Sequence, residues 1–62
     1  MAATFELYKD KRGEFRWRLR HQNGNVIADS GESYTTKAAA LNGIKSVKEN
    51  APEAPVEEKN NS

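Results

Sequence analysis

Between Glu14 and His21 the chain reads Glu-Phe-Arg-Trp-Arg-Leu-Arg-His, large apolar residues alternating without a break with arginines. A period of two sends successive side chains to opposite faces of a pleated backbone, so this stretch predicts a strand over 14–21. Phe15, Trp17 and Leu19 share one face, and Arg16, Arg18 and Arg20 share the other. One face must be buried and the other wet, which makes this strand the middle of a small antiparallel sheet covered on a single side.

The segments around it fit that sheet. Thr4-Phe5-Glu6-Leu7-Tyr8-Lys9 alternates in the same way and predicts a first strand over 4–9, with Phe5 and Leu7 inward. Asp10-Lys11-Arg12-Gly13-Glu14 suits a three-residue hairpin loop, Asp10 opening a type I turn and Gly13 taking the left-handed position of a bulge. Counting back from Asp10 opposite Glu14 sets Leu7 beside Trp17 and Phe5 beside Leu19 inside. The same count sets Tyr8 beside Arg16 and Glu6 beside Arg18 outside. A slip of one residue would set the apolar side chains of one strand against the arginines of the other.

Gln22-Asn23-Gly24-Asn25 carries the Asn-Gly signal of a two-residue type I′ loop, and a third strand follows over 26–30. That loop pairs Leu19 with Ala28 and His21 with Val26 inside, and Arg18 with Asp29 and Arg20 with Ile27 outside. A three-residue loop on the same pair turns Ile27 inward instead, and the two registers both stand open.

The helical segment is expected over 37–50. Thr36 is placed to cap it, since its hydroxyl can accept from a free amide of the first turn, and Ala38-Ala39-Ala40-Leu41 strongly favours helix. Ala40, Ile44, Val47 and Ala51 form a narrow stripe, flanked by Leu41 and Gly43, that docks on the sheet. Gly43 costs about 1 kcal/mol against alanine in a helix interior, so its place beside the stripe predicts close approach of another backbone. Pro52 disfavours helical geometry at Ala51 and ends the helix near Asn50. Beyond it, residues 54–58 form a weak strand at best, and 60–62 a disordered tail. The whole reads as one domain over 1–59, of class α+β.

A chain of 62 residues with no cysteine has neither disulfide nor zinc-thiolate reinforcement, and only 35% of it is hydrophobic. A monomer of this size is marginal, so oligomerisation is expected. Ten basic against nine acidic residues leave a formal charge of +1, which excludes the strong basic field of a typical nucleic-acid binder. No apolar run approaches a membrane span and Met1-Ala2-Ala3-Thr4 opens no signal sequence, so a cytoplasmic protein is expected, with no membrane partner.

The segments Phe5 to Asp10, Gly13 to Leu19, Asn23 to Ile27, Tyr34, and Ala40 to Val47 together resemble the YegP-like family of small proteins, a likeness running from about Phe5 to Asn50. The resemblance implies a β-β-β-α-β unit, present either as a tandem repeat or as a single copy that dimerises. Such pairs form one continuous sheet with exchanged C-terminal strands. One copy is present here, so the homodimer is implied, although Pro55-Val56-Glu57-Glu58 departs from the apolar alternation expected of the last strand. The resemblance carries no activity, catalytic residue or cofactor.

Three function classes follow. The preferred one is an interaction or structural module working as a homodimer, with Gly43, Ile27 and Val56 as candidate partner contacts. The alternative is weak nucleic-acid binding by the outer face, with Arg16, Arg18 and Arg20 tracking phosphates and Tyr8 stacking a base. Against it, the register flanks Arg18 with Glu6 and Asp29 and sets Arg16 against Tyr8, so the row reads as a cross-strand ladder over a wet face. An enzyme is the least supported. The single histidine, His21, falls at the end of the central strand, and no phosphate loop, metal spacing or paired-carboxylate motif occurs. No catalytic residue, metal or cofactor is expected.

Overall fold

The computed structural model describes residues 2–60. Its elements are β1 (Ala3–Lys9), β2 (Phe15–His21), β3 (Val26–Asp29), α1 (Lys37–Asn50) and a closing 3₁₀ turn (Ala51–Glu53). The strands form one antiparallel sheet in the order β1-β2-β3, with α1 packed over β2, an α+β architecture. Residues 61 and 62 of the expected tail lie outside the described residues.

The first hairpin takes the register that side-chain parity demands. Leu7 faces Trp17, Phe5 faces Leu19, Tyr8 faces Arg16 and Glu6 faces Arg18. The Asp10 amide donates to the Glu14 carbonyl at 2.8 Å, the Gly13 amide donates to the Asp10 carbonyl, and Gly13 stands at φ 82°. The carboxylate Oδ1 of Asp10 accepts from the amides of Arg12 and Glu14, so the turn's free donors are satisfied within the loop.

The second hairpin departs from the type I′ turn. The His21 amide donates to the Asn25 carbonyl at 2.7 Å and the Gly24 amide to the His21 carbonyl at 2.8 Å, which repeats the three-residue loop of the first hairpin. Gly24 is at φ 98°, but Asn23 does not adopt positive φ. His21 does for this turn what Asp10 does for the other, its Nδ1 accepting from the Asn23 amide, while Asn23 Oδ1 accepts from the Asn25 amide. Asn23 is thereby satisfied without the left-handed backbone that a type I′ turn would impose on it.

The pairs Leu19–Ala28 and Arg18–Asp29 of the two-residue register form, but Arg20 faces Val26 and not Ile27, while the loop is the three-residue alternative. Ile27 is the extra residue of a bulge between these pairs, which absorbs the odd loop and restores the even register. It is 56% exposed, and turned neither cleanly inward nor into a pair with Arg20. The strand itself stops at Asp29, one residue before the expected end, with the Ser30 amide still donating to Trp17. The chain then returns to β2, where Tyr34 and Phe15 exchange two backbone hydrogen bonds of 2.8 Å.

Thr36 caps α1 as expected, its Oγ1 accepting from the Ala39 amide at 3.1 Å from an extended backbone. The helix ends at Asn50 as expected, but Ala51 keeps helical dihedrals (φ −64°, ψ −39°) that Pro52 was expected to disfavour. The proline lacks the N–H for a further α-helical bond, so the ladder closes with Ala51 donating to Val47 and the chain tightens into the 3₁₀ turn. The expected weak strand over 54–58 is not formed within the chain. Ala54 is extended, but the segment hydrogen-bonds to no strand, Pro55 has no amide hydrogen, and Val56 is 97% exposed.

The core is correspondingly small. Trp17, Ala40 and Ile44 are its buried apolar residues, ringed by the half-buried Phe5, Leu7, Phe15, Tyr34 and Val47. Phe5 meets Trp17 edge to face with ring centroids 5.6 Å apart. Ala51 and Leu41, expected in or beside the stripe, are exposed, so the covering surface reduces to Ala40, Ile44 and Val47.

Candidate functional site

The outer face of the sheet carries the arginine row. Arg16 turns from its cross-strand neighbour Tyr8 to the loop, donating through Nε to Asp10 Oδ2 at 2.9 Å. Arg18 donates through Nε to Glu6 at 2.7 Å, with its guanidinium 4.5 Å from the Tyr8 ring centroid. Arg20 reaches the same Glu6 oxygen at 3.1 Å and donates through Nη1 to the Gly24 carbonyl. Every arginine of the row thus ends on an acceptor of its own chain. Asp29, directly opposite Arg18, adds its field at Arg16.

These contacts set the electrostatics. Hydrogen bonds from Arg18 and then Arg20 hold the Glu6 carboxyl below its ordinary value of 4.5, against the opposing effect of burial. Asp10 is held below 3.8 by Arg16 first and then by the Glu14 amide. The partners respond in the opposite sense, Asp10 raising Arg16 and Glu6 raising Arg18. The signs of the pairs agree. This is a neutralised ladder in which each charge answers a neighbour, and Tyr8 is engaged by Arg18.

The inner face is different at its two ends. Over Trp17 and Phe15 it is closed by α1 and Tyr34. A Cβ added to Gly43 would lie 2.7 Å from the Tyr34 hydroxyl and 3.3 Å from Trp17 Nε1. Gly43 therefore marks a close approach, but of two aromatic side chains of the same chain and not of a second backbone. Trp17 Nε1 is buried there without a hydrogen-bond partner. At the other end Ala3, Thr4, Phe5, Leu19 and Lys48 surround an open groove of about 460 Å³. Lys48 stands at its rim with Nζ 5.8 Å from the Phe5 ring centroid.

Of the residues singled out from sequence, Tyr8, Arg16, Arg18 and Arg20 come together on one face. Gly43, Ile27 and Val56 do not: Gly43 faces Tyr34, Ile27 lies on the β3 edge, and Val56 stands exposed beyond the 3₁₀ turn. The groove was missed. Its signal lay in the helical period, because Lys48 follows Ile44 by four residues and so falls over the same face one turn nearer the helix end. Among the described residues no group of His, Cys, Asp and Glu is placed to hold a metal ion, and no helix is long and apolar enough to cross a membrane.

A family model described as "Domain of unknown function (DUF1508)" matches residues 10–58. A UPF0339 protein of Treponema denticola is 57% identical over 94% of this chain and 98% of its own length. A "UPF0339 protein in ptx operon 5'region" of Stutzerimonas stutzeri is 55% identical over 86% of this chain, which spans only 47% of that relative. The NMR solution structure of a protein from Haloferax volcanii superposes with a TM-score of 0.87 at 54% identity, covering 92% of this chain and 95% of that one. With a family model matched over most of its length and near-full-length relatives above half identity, this chain belongs to the DUF1508 family of UPF0339 proteins, the family that the YegP-like resemblance names.

Proposed function

We propose that the protein works as a homodimeric module, acting through its surfaces and not by catalysis, in which two copies share one sheet and exchange their C-terminal segments. The observation that carries this reading is the half-finished inner face. A sheet with two free edges is covered by a helix that buries only Ala40 and Ile44, and Phe5 and Leu19 border an open groove. A second copy would supply both the missing cover and a pairing strand for an edge that otherwise invites aggregation. The Stutzerimonas stutzeri relative supports it too, since more than half of that protein lies beyond the matched region, room for a second unit of similar size. The arginine row is then the charge ladder of a wet face and not a phosphate track.

Sedimentation equilibrium tests the reading on the full chain and on a truncation after Pro52. The full chain is expected to sediment as a dimer at micromolar concentration, and the truncation to lose dimer and cooperative melting together. A full chain that stays at 6.9 kDa at high micromolar concentration while melting cooperatively overturns it.

A further inference from the structure

The dipeptide Asn-Gly occurs twice in the chain, at Asn23–Gly24 and at Asn42–Gly43. We propose that Asn23 is a site of spontaneous covalent modification, its side-chain amide converting to a carboxyl group, and that the fold holds Asn42 inert. In this reaction the glycine amide nitrogen gives up its proton to solvent and bonds to the asparagine Cγ. The Cγ–Nδ2 bond breaks with loss of ammonia, and water opens the resulting succinimide ring to aspartate or isoaspartate. Water is the sole co-reactant, and nothing is oxidised or reduced. Glycine hinders the attacking nitrogen least, because it carries no Cβ.

Both asparagines are exposed, so access to water does not separate them. The backbone separates them. Closing the ring requires rotating the glycine nitrogen onto the side-chain carbon. Gly43 lies within α1, where its amide belongs to the helical ladder, and it sits against Tyr34 and Trp17. Rotation there breaks the helix and the core together. At Gly24 nothing lies within 4 Å of the position a Cβ would take, and what must be given up is the bond of 2.8 Å from its amide to the His21 carbonyl. The turn also favours the reaction electrostatically. The Asn25 amide already donates at 2.9 Å to Asn23 Oδ1, the oxygen that becomes negative when the nitrogen attacks. Arg20 brings its guanidinium to the Gly24 carbonyl at 2.9 Å, a positive charge that eases loss of the neighbouring amide proton. The product takes the formal charge of the chain from +1 to 0 (+1 − 1). Aspartate can keep the Asn25 bond, whereas isoaspartate adds a methylene to the backbone and breaks the three-residue loop.

The test incubates the full native chain at mildly alkaline pH beside a sample unfolded in guanidinium chloride. Each asparagine is followed by peptide mapping, with electron-transfer fragmentation to tell isoaspartate from aspartate. In the native chain Asn23 is expected to convert at least about tenfold faster than Asn42, which reacts only from locally opened helix. In the unfolded sample the two are expected to convert within about twofold of each other, because both are then Asn-Gly in open chain. Asn23→Gln is expected to remove most of the ammonia that the native chain releases, since the longer side chain closes its ring far more slowly, and Asn42→Gln to leave that release unchanged. Circular dichroism checks that both variants are folded, and the comparison within wild type stands without them. A native chain in which Asn42 converts as fast as Asn23, or in which Asn23 stays intact while the unfolded sample converts, overturns the inference.

Discussion

On the outer face of the sheet every arginine of β2 ends on an acceptor of its own chain, whereas on the inner face the same strand leaves Leu19 beside an open groove. The two faces come from one alternating sequence, so the difference lies in what each kind of side chain needs. A guanidinium charge is answered by a carboxylate within reach, and Asp10 and Glu6 lie one strand or one loop away. An apolar side chain is satisfied only by area, and a single helix presenting alanine and isoleucine does not have enough of it to cover the full length of β2. Polar closure is local, whereas apolar closure is collective and in the single chain stays incomplete at the Leu19 end.

The closed end of the inner face should therefore carry most of the stability of one copy. Trp17→Ala removes the largest buried side chain and is expected to cost about 3–5 kcal/mol, close to the whole stability of a domain this small. The variant should be largely unfolded by circular dichroism at a fixed protein concentration. A cooperative melt near that of wild type would show that the closed end is no more stabilising than the open one.

Gly43→Ala sharpens the same point from the helix side. Alanine improves helix propensity by about 1 kcal/mol, so an open site would be stabilised. Here the new methyl meets the Tyr34 hydroxyl at 2.7 Å, the ring carbon Cζ at 3.2 Å and the buried Trp17 Nε1 at 3.3 Å, so more than one side chain has to shift. Overpacking of this kind costs typically 1–3 kcal/mol, so a net loss of about 1 kcal/mol is expected in chemical denaturation. A gain in stability would mean that the Trp17–Tyr34 contact is loose.

How far such contacts can be foreseen depends on whether the deciding partner is near in sequence. The β1–β2 register was legible because Gly13 and the parity of Phe5, Leu7, Trp17 and Leu19 all point to one loop length. The second hairpin was not, because the Asn-Gly preference competes with ring and amide acceptors, His21 Nδ1 and Asn23 Oδ1, that favour the longer loop. That choice then displaces Ile27 into a bulge, which no local signal announces. Gly43 announced a close contact, but its neighbour followed from Tyr34 rejoining β2, a pairing across nineteen positions of chain from Phe15 (34 − 15). The arginine row was legible as a ladder, though its partners are diagonal, Asp10 for Arg16 and Glu6 for Arg20. The groove needed the tertiary placement of Lys48 against Ala3 and Thr4.

A smaller effect is expected at the helix start, away from both faces. Thr36→Ala removes the oxygen that accepts from Ala39 and should cost about 1 kcal/mol. Thr36→Ser should retain most of it, which separates the cap from the side chain's packing. Equal losses in both variants, measured by denaturant midpoint at unchanged slope, would assign the effect to the methyl group instead.

The smallest effect belongs to the outer face, and its sign follows from the two carboxylates. Glu6 and Asp10 are depressed in the folded chain, Glu6 chiefly by Arg18 and Asp10 chiefly by Arg16, so the unfolded chain binds protons more readily than the folded one. Their contribution is therefore fully present above the ordinary values of 4.5 and 3.8 and is lost as pH falls through the lower folded values. Stability should be flat from neutrality to about pH 5 on this account and decline below it. The decline should be modest, because these side chains remain partly exposed and solvent screens the pairs. Carboxyl chemical shifts followed by NMR are expected to give Glu6 a midpoint below 4.5, returning toward it in Arg18→Gln and less far in Arg20→Gln, in the order of the two causes. An unshifted midpoint in the native chain would mean that the ladder is not held in solution, and the outer face would then be as unfinished as the inner one.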